Sequence, residues 1–344
     1  MEVKSLYEVL RELDGNHCNV IHTVIDGPHF GAKAVFSNGA LIWEAPESSF
    51  FGLHISEVQT LQKTGTYSID GERIFSEVVG HERHLVICGG GHVSIPVITM
   101  GLMLGFRVTV LEDRPKFAND AQRTGATEVI CNSFEAGLEQ ILGDQDTFFV
   151  IVTRGHRYDK MCLEAIIKKE HAYIGMIGSK LRVKNVIEGL IENGADAEVL
   201  KEVHSPIGLA IGAETPEEIG VSIMAEIIQV KNEQNRDSGY TKKLLRAIID
   251  QEVDGDRKIL TTIVSRKGSA PRGLGTKMLI LPGGECVGTI GGGCVEADIF
   301  RKGMRMLLAD TNEPQICKVD MTGQDAEEDG MVCGGVVDIL LEVV

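Results

Sequence analysis

The order of apolar and polar positions changes character along the 344 residues of the chain. From Leu85, "LVICGGGHVSIPVITMGLMLGFRVTVLEDRP" reads as a buried strand at 85–88, a glycine turn, a helix, and a second apolar strand at 108–111 that ends in acids. Val93, Val97, Met100 and Leu104 recur at helical spacing, which predicts one buried helix face. The alternation goes on through strand-like "TEVI", helix-like "FEAGLEQIL", strand-like "TFFVIVT", a helix from Tyr158 to near Lys169, strand-like "AYIGMIG", and a helix from Ser179 to near Asn193. Strands alternating with helices predict a parallel sheet covered on both faces. In "HSPIGLAIGAETPEEIGVSIMAEIIQVK", Thr215 caps a helix with Pro216 at its first position and Glu218 at its third. This is a capping box, and the helix should run to near Lys231.

Polar "NEQNRDSGY" reads as a linker, and beyond it the pattern is different. A helix from Thr241 to near Glu252 precedes the strand "KILTTIV", then a glycine-dense region with short strand-like runs "TKMLIL" and "ECVGTI". A second helix follows Cys294, with Ala297, Phe300, Met304, Leu307 and Leu308 on one face, and "VVDILLEV" closes the chain as a buried strand. The N-terminal "LYEVLREL" and "NVIHTVIDGPHFGAKAVFSNGALIWE" echo this second pattern, with Gly31-Ala32-Lys33 matching Gly275-Thr276-Lys277. The N-terminal copy lacks the "GSAPR" and "GGGC" stretches, so it is expected to pack a sheet without owning a site. The organisation expected is therefore a degenerate half-copy over 1–80, a Rossmann-like domain over 81–232, a linker over 233–239 and a small α+β domain over 240–344. The fold class is α/β, a parallel-sheet domain plus a smaller α+β domain.

Composition narrows the partners. A net charge of -16 argues against a non-specific grip on nucleic acid or an anionic membrane. No apolar run of membrane-spanning length is present. The acidic start lacks the basic and apolar regions of a signal peptide, so a cytoplasmic protein is expected. The eight cysteines have no C-x-x-C spacing and are expected to be reduced thiols rather than a disulfide scaffold or a zinc ribbon.

Two regions carry candidate chemistry. The turn Gly89-Gly90-Gly91-His92-Val93-Ser94 leaves a strand and opens a helix, the context of a dinucleotide fingerprint. Gly89 and Gly91 would admit a pyrophosphate to the helix N-terminus, while Ser94 departs from the usual glycine or alanine. Glu112 and Asp113 are placed to accept a ribose hydroxyl and Arg114 to meet a 2′-phosphate, so NAD and NADP both stay open, as does a Rossmann fold without a dinucleotide. "TRGHRYDK" offers His156 and Asp159 as acid/base candidates; "GSKLR" offers Ser179 as an anion contact or a plain helix cap. Cys294, in the first turn of a helix behind Gly291, Gly292 and Gly293, is biased toward thiolate by the helix dipole. The three glycines remove side chains around it, so that a bulky planar or anionic group could approach the backbone amides. A thiolate attacks electrophiles or ligates a soft metal; the other reading is a buried free cysteine acting as a small hydrophobe. Arg272 and Lys277, on "GSAPRGLGTKM", could add an anion-receptive rim.

Taken together, "KGSAPRGLGTKMLI", "GTIGGGCVEADI" and "CGGVVDILLE" resemble the XdhC/CoxI domain of xanthine dehydrogenase accessory proteins. "LVICGGGHVSIPV", "VLEDRP", "TRGHRYD", "YIGMIGSK" and "SPIGLAIGAETPEEIGVSIMAEI" resemble that family's Rossmann domain. The resemblance implies a molybdenum cofactor chaperone that assists cofactor sulfuration and insertion into an apo xanthine dehydrogenase or related molybdenum hydroxylase, with a cysteine desulfurase as a further candidate partner. It also implies that Cys294 holds the cofactor, as metal ligand or nucleophile. The usual family order places the cysteine-bearing domain first, whereas here it comes last, behind the N-terminal half-copy. A homodimer is expected. The reading from another class is an NAD(P)-dependent oxidoreductase that uses the Rossmann domain with His156 or Cys294 in the chemistry.

Overall fold

The computed structural model describes residues 4–80, 82–233, 239–249, 257–270, 272–309, 311–320 and 335–344, apart from the side chain of Cys294. The chain divides into two units, one formed by 1–80 with 235–344 and the other by 81–234.

The first unit opens with α1 (Leu6–Glu12), whose Ser5 and Glu8 close a reciprocal capping box. There follow β1 (Asn19–Asp26), β2 (Lys33–Ser37), β3 (Ala40–Glu44), the short helices α2 (Phe50–Leu53) and α3 (Ile55–Val58), β4 (Gly65–Ile69) and β5 (Glu72–Val79). The strands form an antiparallel sheet in the order β3-β2-β1-β5-β4. The chain then leaves for the second unit.

That unit runs β6 (His84–Cys88), α4 (Ser94–Met103), β7 (Arg107–Leu111), α5 (Pro115–Arg123), β8 (Glu128–Ile130), α6 (Phe134–Glu139), β9 (Thr147–Ile151), α7 (His156–Ile166), β10 (Tyr173–Met176), α8 (Lys180–Glu192), α9 (Ala197–Lys201) and α10 (Pro216–Glu233). The sheet is parallel, with order β10-β9-β6-β7-β8. Alternate residues feed two cores: Val86, Cys88, Phe149 and Ile151 on one face, Leu85, Ile87, Phe148 and Val150 on the other. Both faces are covered, as continuous apolar strands require. The strand order reverses between β6 and β9, the switch point where such sheets bind ligands. Thr215 and Glu218 exchange the reciprocal bonds of the expected cap at 3.3 and 3.1 Å. Of the expected linker, residues 234–238 lie outside the described residues.

The chain completes the first unit with α11 (Lys242–Ile249), β11 (Ile259–Lys267), β12 (Lys277–Ile280), β13 (Cys286–Gly288), α12 (Gly293–Leu308), β14 (Gln315–Asp320) and β15 (Val336–Val343). The sheet order, β13-β12-β11-β15-β14, repeats that of the N-terminal copy strand for strand. The register repeats as well. Thr23 faces Lys33 as Thr262 faces Lys277, and Ile21 faces Glu77 as Leu260 faces Glu342. Each central strand even shifts register at the equivalent place, between Val24 and Asp26 and between Ile263 and Ser265.

Two helix faces differ from the sequence expectation, for one physical reason. On α4 the buried line is Ser94, Val97, Ile98 and Gly101, while Leu104 is exposed. On α12 it is Val295, Ile299, Gly303 and Met306; Ala297 and Leu308 face outward. A Cβ at Gly101 would lie 2.7 Å from Leu85 Cδ2, and one at Gly303 2.5 Å from Ile280 Cδ1. In each case a bare backbone, and not a large side chain, lies closest to the sheet.

Candidate functional site

Antiparallel pairing brings three connections of the C-terminal copy to one end of its sheet. Met278 opposite Gly288 puts the β11–β12 turn beside the β13–α12 loop, and Lys267 opposite Val336 brings the start of β15 to the same end. Gly335 confirms this closeness, since a Cβ there would lie 2.2 Å from the Ser269 carbonyl oxygen. Cys333 lies outside the described residues.

The β13–α12 loop is held in place by one carboxylate. Glu296 Oε2 accepts from Thr289 Oγ1 at 2.5 Å and from the Ile290 and Gly292 amides at 3.1 Å each. Thr289 Oγ1 accepts in turn from the Gly291 amide at 3.1 Å. Burial raises the Glu296 pKa, but these bonds outweigh it and leave the carboxyl below its ordinary value. Gly291, Gly292 and Gly293 have φ of 131°, 73° and 66°, a left-handed run that only glycine adopts cheaply. An added Cβ at Gly292 or Gly293 would meet no described residue within 4 Å, so among the described residues the outer side of the loop is open. Cys294 is the second residue of α12; the roles expected of its thiol lie outside the described side chains.

Sequence reasoning missed Glu296, which reads as an ordinary first-turn acid favoured by the helix dipole. Its signal was the hydroxyl and glycine amides just before the helix, which need an acceptor. Two expectations at this end need correction. The Gly291 and Gly292 amides, expected to meet a ligand, are turned inward to Thr289 and Glu296. Lys277 is not a rim cation, because its Nζ lies 2.7 Å from Glu77 Oε2 with side-chain exposures of 1% and 3%. The same ammonium sits over the Tyr240 ring, and burial lowers its pKa while Glu77 pushes it back up. Arg272 is exposed on the β11–β12 turn.

In the parallel-sheet unit the glycine turn lies at the switch point. Gly89 has φ 118°, and a Cβ there would lie 2.5 Å from the carbonyl oxygen of Val152, just past β9. Ser94, in place of the usual glycine or alanine, is buried, and its Oγ donates to the Gly89 carbonyl at 2.6 Å. Gly91 faces open space and His92 is exposed.

The acids beyond β7 are committed internally. Glu112, fully buried, accepts from the Gly90 amide at 2.7 Å and from Arg114 Nε at 2.7 Å and Nη2 at 3.0 Å. It therefore shapes the glycine turn, and its expected role as a ribose acceptor is corrected. Arg114 is held by that carboxylate through Nε and Nη2, over the Phe117 ring. Asp113 takes a bidentate pair from Arg154, whose hydrogen bonds hold its pKa below the ordinary value, and Arg154 also donates to Tyr158 OH at 2.8 Å.

The acid/base candidates of α7 are separated by burial. His156 is exposed, whereas Asp159 is buried, accepts from Thr153 Oγ1 at 2.6 Å, and has its pKa raised by that burial. Ser179 acts as the helix cap, its Oγ accepting from the Arg182 amide at 3.4 Å. Among the described residues no group of three or more His, Cys, Asp or Glu could hold a metal ion. None of their helices is long and apolar enough to cross a membrane.

Comparison with known proteins follows the same division. Residues 85–227 match the family model of the XdhC Rossmann domain, and residues 253–319 match that of the XdhC and CoxI family. The uncharacterized protein YqeB of Escherichia coli (strain K12) is 33% identical over 160 residues, 46% of this chain and 29% of that protein. A probable xanthine dehydrogenase subunit of Bacillus subtilis (strain 168) is 30% identical over 162 residues, 46% of each chain. The matches thus span less than half the length of either curated relative. A crystal structure described as a xanthine dehydrogenase from Bacillus halodurans superposes with TM-score 0.51 at 24% identity, covering 67% of this chain and 66% of that one, which speaks to the fold. With both modules matched over more than half of its residues, the chain belongs to the XdhC/CoxI family.

Proposed function

We propose that the protein is a cytoplasmic accessory factor of a xanthine dehydrogenase or related molybdenum hydroxylase, and that it binds the molybdenum cofactor as cargo during maturation of that enzyme. The observation that carries this reading is the open, left-handed Gly291–Gly293 loop ahead of α12, in the XdhC/CoxI module of the chain. Membership of the family supports the accessory role, and the name of the Bacillus subtilis relative supports the choice of client enzyme.

The loop fits the group. At Gly292 and Gly293 an added Cβ would meet no described residue, which leaves room for a bulky planar ligand to approach the backbone. The cofactor supplies a soft metal-dithiolene end and a phosphate. Cys294 would offer the soft ligand or nucleophile, and exposed Arg272 together with the first-turn amides of α12 would meet the phosphate. Glu296 keeps the preceding amides occupied and the loop in its left-handed form. A cysteine desulfurase is a further candidate partner, as source of the sulfur.

The test is anaerobic purification from a host that makes the cofactor, followed by molybdenum and pterin analysis. Wild-type protein should carry both and Cys294→Ala should carry neither. Equal loading of the two proteins, or none in either when cofactor is supplied, overturns the proposal.

One observation favours a second reading, an NAD(P)-dependent oxidoreductase: the glycine turn stands at the switch point with Gly91 facing open space. A titration in which neither nicotinamide cofactor binds, or in which enlarging Gly91 changes nothing, removes it.

A further inference from the structure

The two copies in the first unit meet through equivalent surfaces. Lys33 of β2 lies 3.0 Å from Glu342 of β15, and Lys277 of β12 lies 2.7 Å from Glu77 of β5. By register Lys33 is the equivalent of Lys277 and Glu77 of Glu342, so one contact is made twice, once in each direction. The apolar seam is likewise doubled. Ile21, Val35, Leu6 and Leu10 share a buried cluster with Leu260, Leu279, Leu244 and Ile248, and Ile25 with Phe75 shares another with Val264 and Leu340. Residue i touching j while j touches i is the signature of a twofold interface between identical subunits. Here it is made within one chain.

One pair at the pseudo-axis says whether two like copies could pair between chains. Arg73 and Asp338 follow the equivalent register shifts of the two sheets, and they face each other at 3.5 Å. At a true twofold axis a residue meets its own copy. Two C-terminal copies would place Asp338 against Asp338, and two N-terminal copies Arg73 against Arg73. At this position opposite charges meet only when one copy of each kind pairs, and like pairings are penalised there.

We propose that residues 1–80 are a built-in dimerisation partner: the C-terminal copy closes its apolar face on the N-terminal copy of the same chain, and this face recruits no second chain. The N-terminal copy is specialised for that task. Where the C-terminal copy opens three glycines before α12, the N-terminal copy begins α2 with Phe50, 3% exposed, packed between the rings of His29 and His54 at 5.1 and 4.7 Å. His29 is held by Glu72 through its Nδ1 at 2.6 Å and its amide at 3.0 Å, which fills the equivalent loop cluster. Each chain therefore carries one open loop and one filled counterpart.

Charge reversal in the full chain tests this. Glu77→Lys should lower Tm by roughly 10 °C, because a like charge faces buried Lys277. Lys277→Glu should do the same, and the doubly reversed chain should recover most of the loss. Arg73→Asp and Asp338→Arg, at a more exposed pair, should show a smaller loss with the same recovery. Co-expressing one Glu77→Lys chain with one Lys277→Glu chain should recover nothing, and light scattering should find no new species of two chains. Recovery in the mixed sample with a doubled mass overturns the proposal, because the face then pairs between chains. Failure of both doubly reversed chains to recover overturns it as well. If the Glu77→Lys chain does not fold at all, the Arg73 and Asp338 set decides between the same two outcomes at a tolerated position.

Discussion

Replacing Glu296 with alanine removes the acceptor for one hydroxyl and two backbone amides at once. Hydrogen bonds to a charged acceptor contribute roughly 1.5–3 kcal/mol each when nothing replaces them. Glu296 is only partly buried, so water reaches the freed donors and the three bonds do not sum; a net loss of about 2 kcal/mol is expected. Glu296→Gln keeps an oxygen acceptor and loses the charge, so it should fall between alanine and wild type, near 1 kcal/mol. The sign of the pH dependence follows from the pKa. Folding lowers the Glu296 pKa below its ordinary value, so the stabilisation is complete above the ordinary carboxylate range and is lost as pH falls through the folded value. With glutamine at this position that acid-side loss is absent. Denaturant unfolding from pH 7 to pH 3 measures both effects, and hydrogen exchange at Ile290, Gly291 and Gly292 localises them. If the alanine variant protects those amides as well as wild type does, or if glutamine and alanine are equally destabilised at pH 7, Glu296 does not hold the loop.

Three other outcomes can be checked on the same preparations. Lys277→Met strands the buried Glu77 carboxylate and should cost about 3–5 kcal/mol in denaturant unfolding, most of it returned by adding Glu77→Leu; an unchanged midpoint in the single variant would restore Lys277 to the candidate ligand rim. Gly89→Ala should cost roughly 2 kcal/mol or more, from its left-handed backbone and the Val152 carbonyl, whereas Gly91→Ala, which faces open space, should leave Tm nearly unchanged. A large loss at Gly91 would show that the turn is packed. His22, buried against Ser76 Oγ at 2.8 Å, has its pKa lowered by burial to about 3. The neutral ring favours the fold fully above the ordinary histidine range and ever less as pH falls toward 3, by up to about 1.4 kcal/mol per pH unit. His22→Gln should flatten that acid limb between pH 6 and 4, and an unchanged slope would place the acid sensitivity elsewhere.

The parallel-sheet unit was legible because its signals are local: continuous apolar strands, glycine turns and the Thr215–Glu218 cap all sit within a few residues of what they control. What was not legible depends on approach between distant segments. Gly101 and Gly303 lie on the buried faces of α4 and α12, in close contact with the sheets, yet a pattern built on large apolar residues passes over a glycine. Lys277 and Glu112 read as free charges because their partners are tertiary. Glu77 is 200 residues away from Lys277, and the Gly90 amide that Glu112 holds is 22 residues back. In a chain of net charge -16, a cation on a glycine-rich turn looks like a ligand contact; the geometry makes it one half of a buried pair.

The repeat separates frame from site more cleanly than either copy could alone. Both copies keep the sheet order, the register shift and the lysine that reaches the other copy's glutamate, so these features serve the frame. They differ in the loops at one sheet end, where the N-terminal copy has Phe50 and the His29–Glu72 pair and the C-terminal copy has three left-handed glycines held by Glu296. A side chain that supports the frame should therefore affect stability from either copy, whereas one that supports the site should do so from the C-terminal copy alone. Lys33 and Glu342 on one side, and Gly292 and Glu296 on the other, are the residues at which that distinction is sharpest. Substituting the first pair should shift unfolding while leaving cofactor retention per folded molecule intact; substituting Gly292 with a bulkier residue should remove retention, at a stability cost set by its φ of 73°.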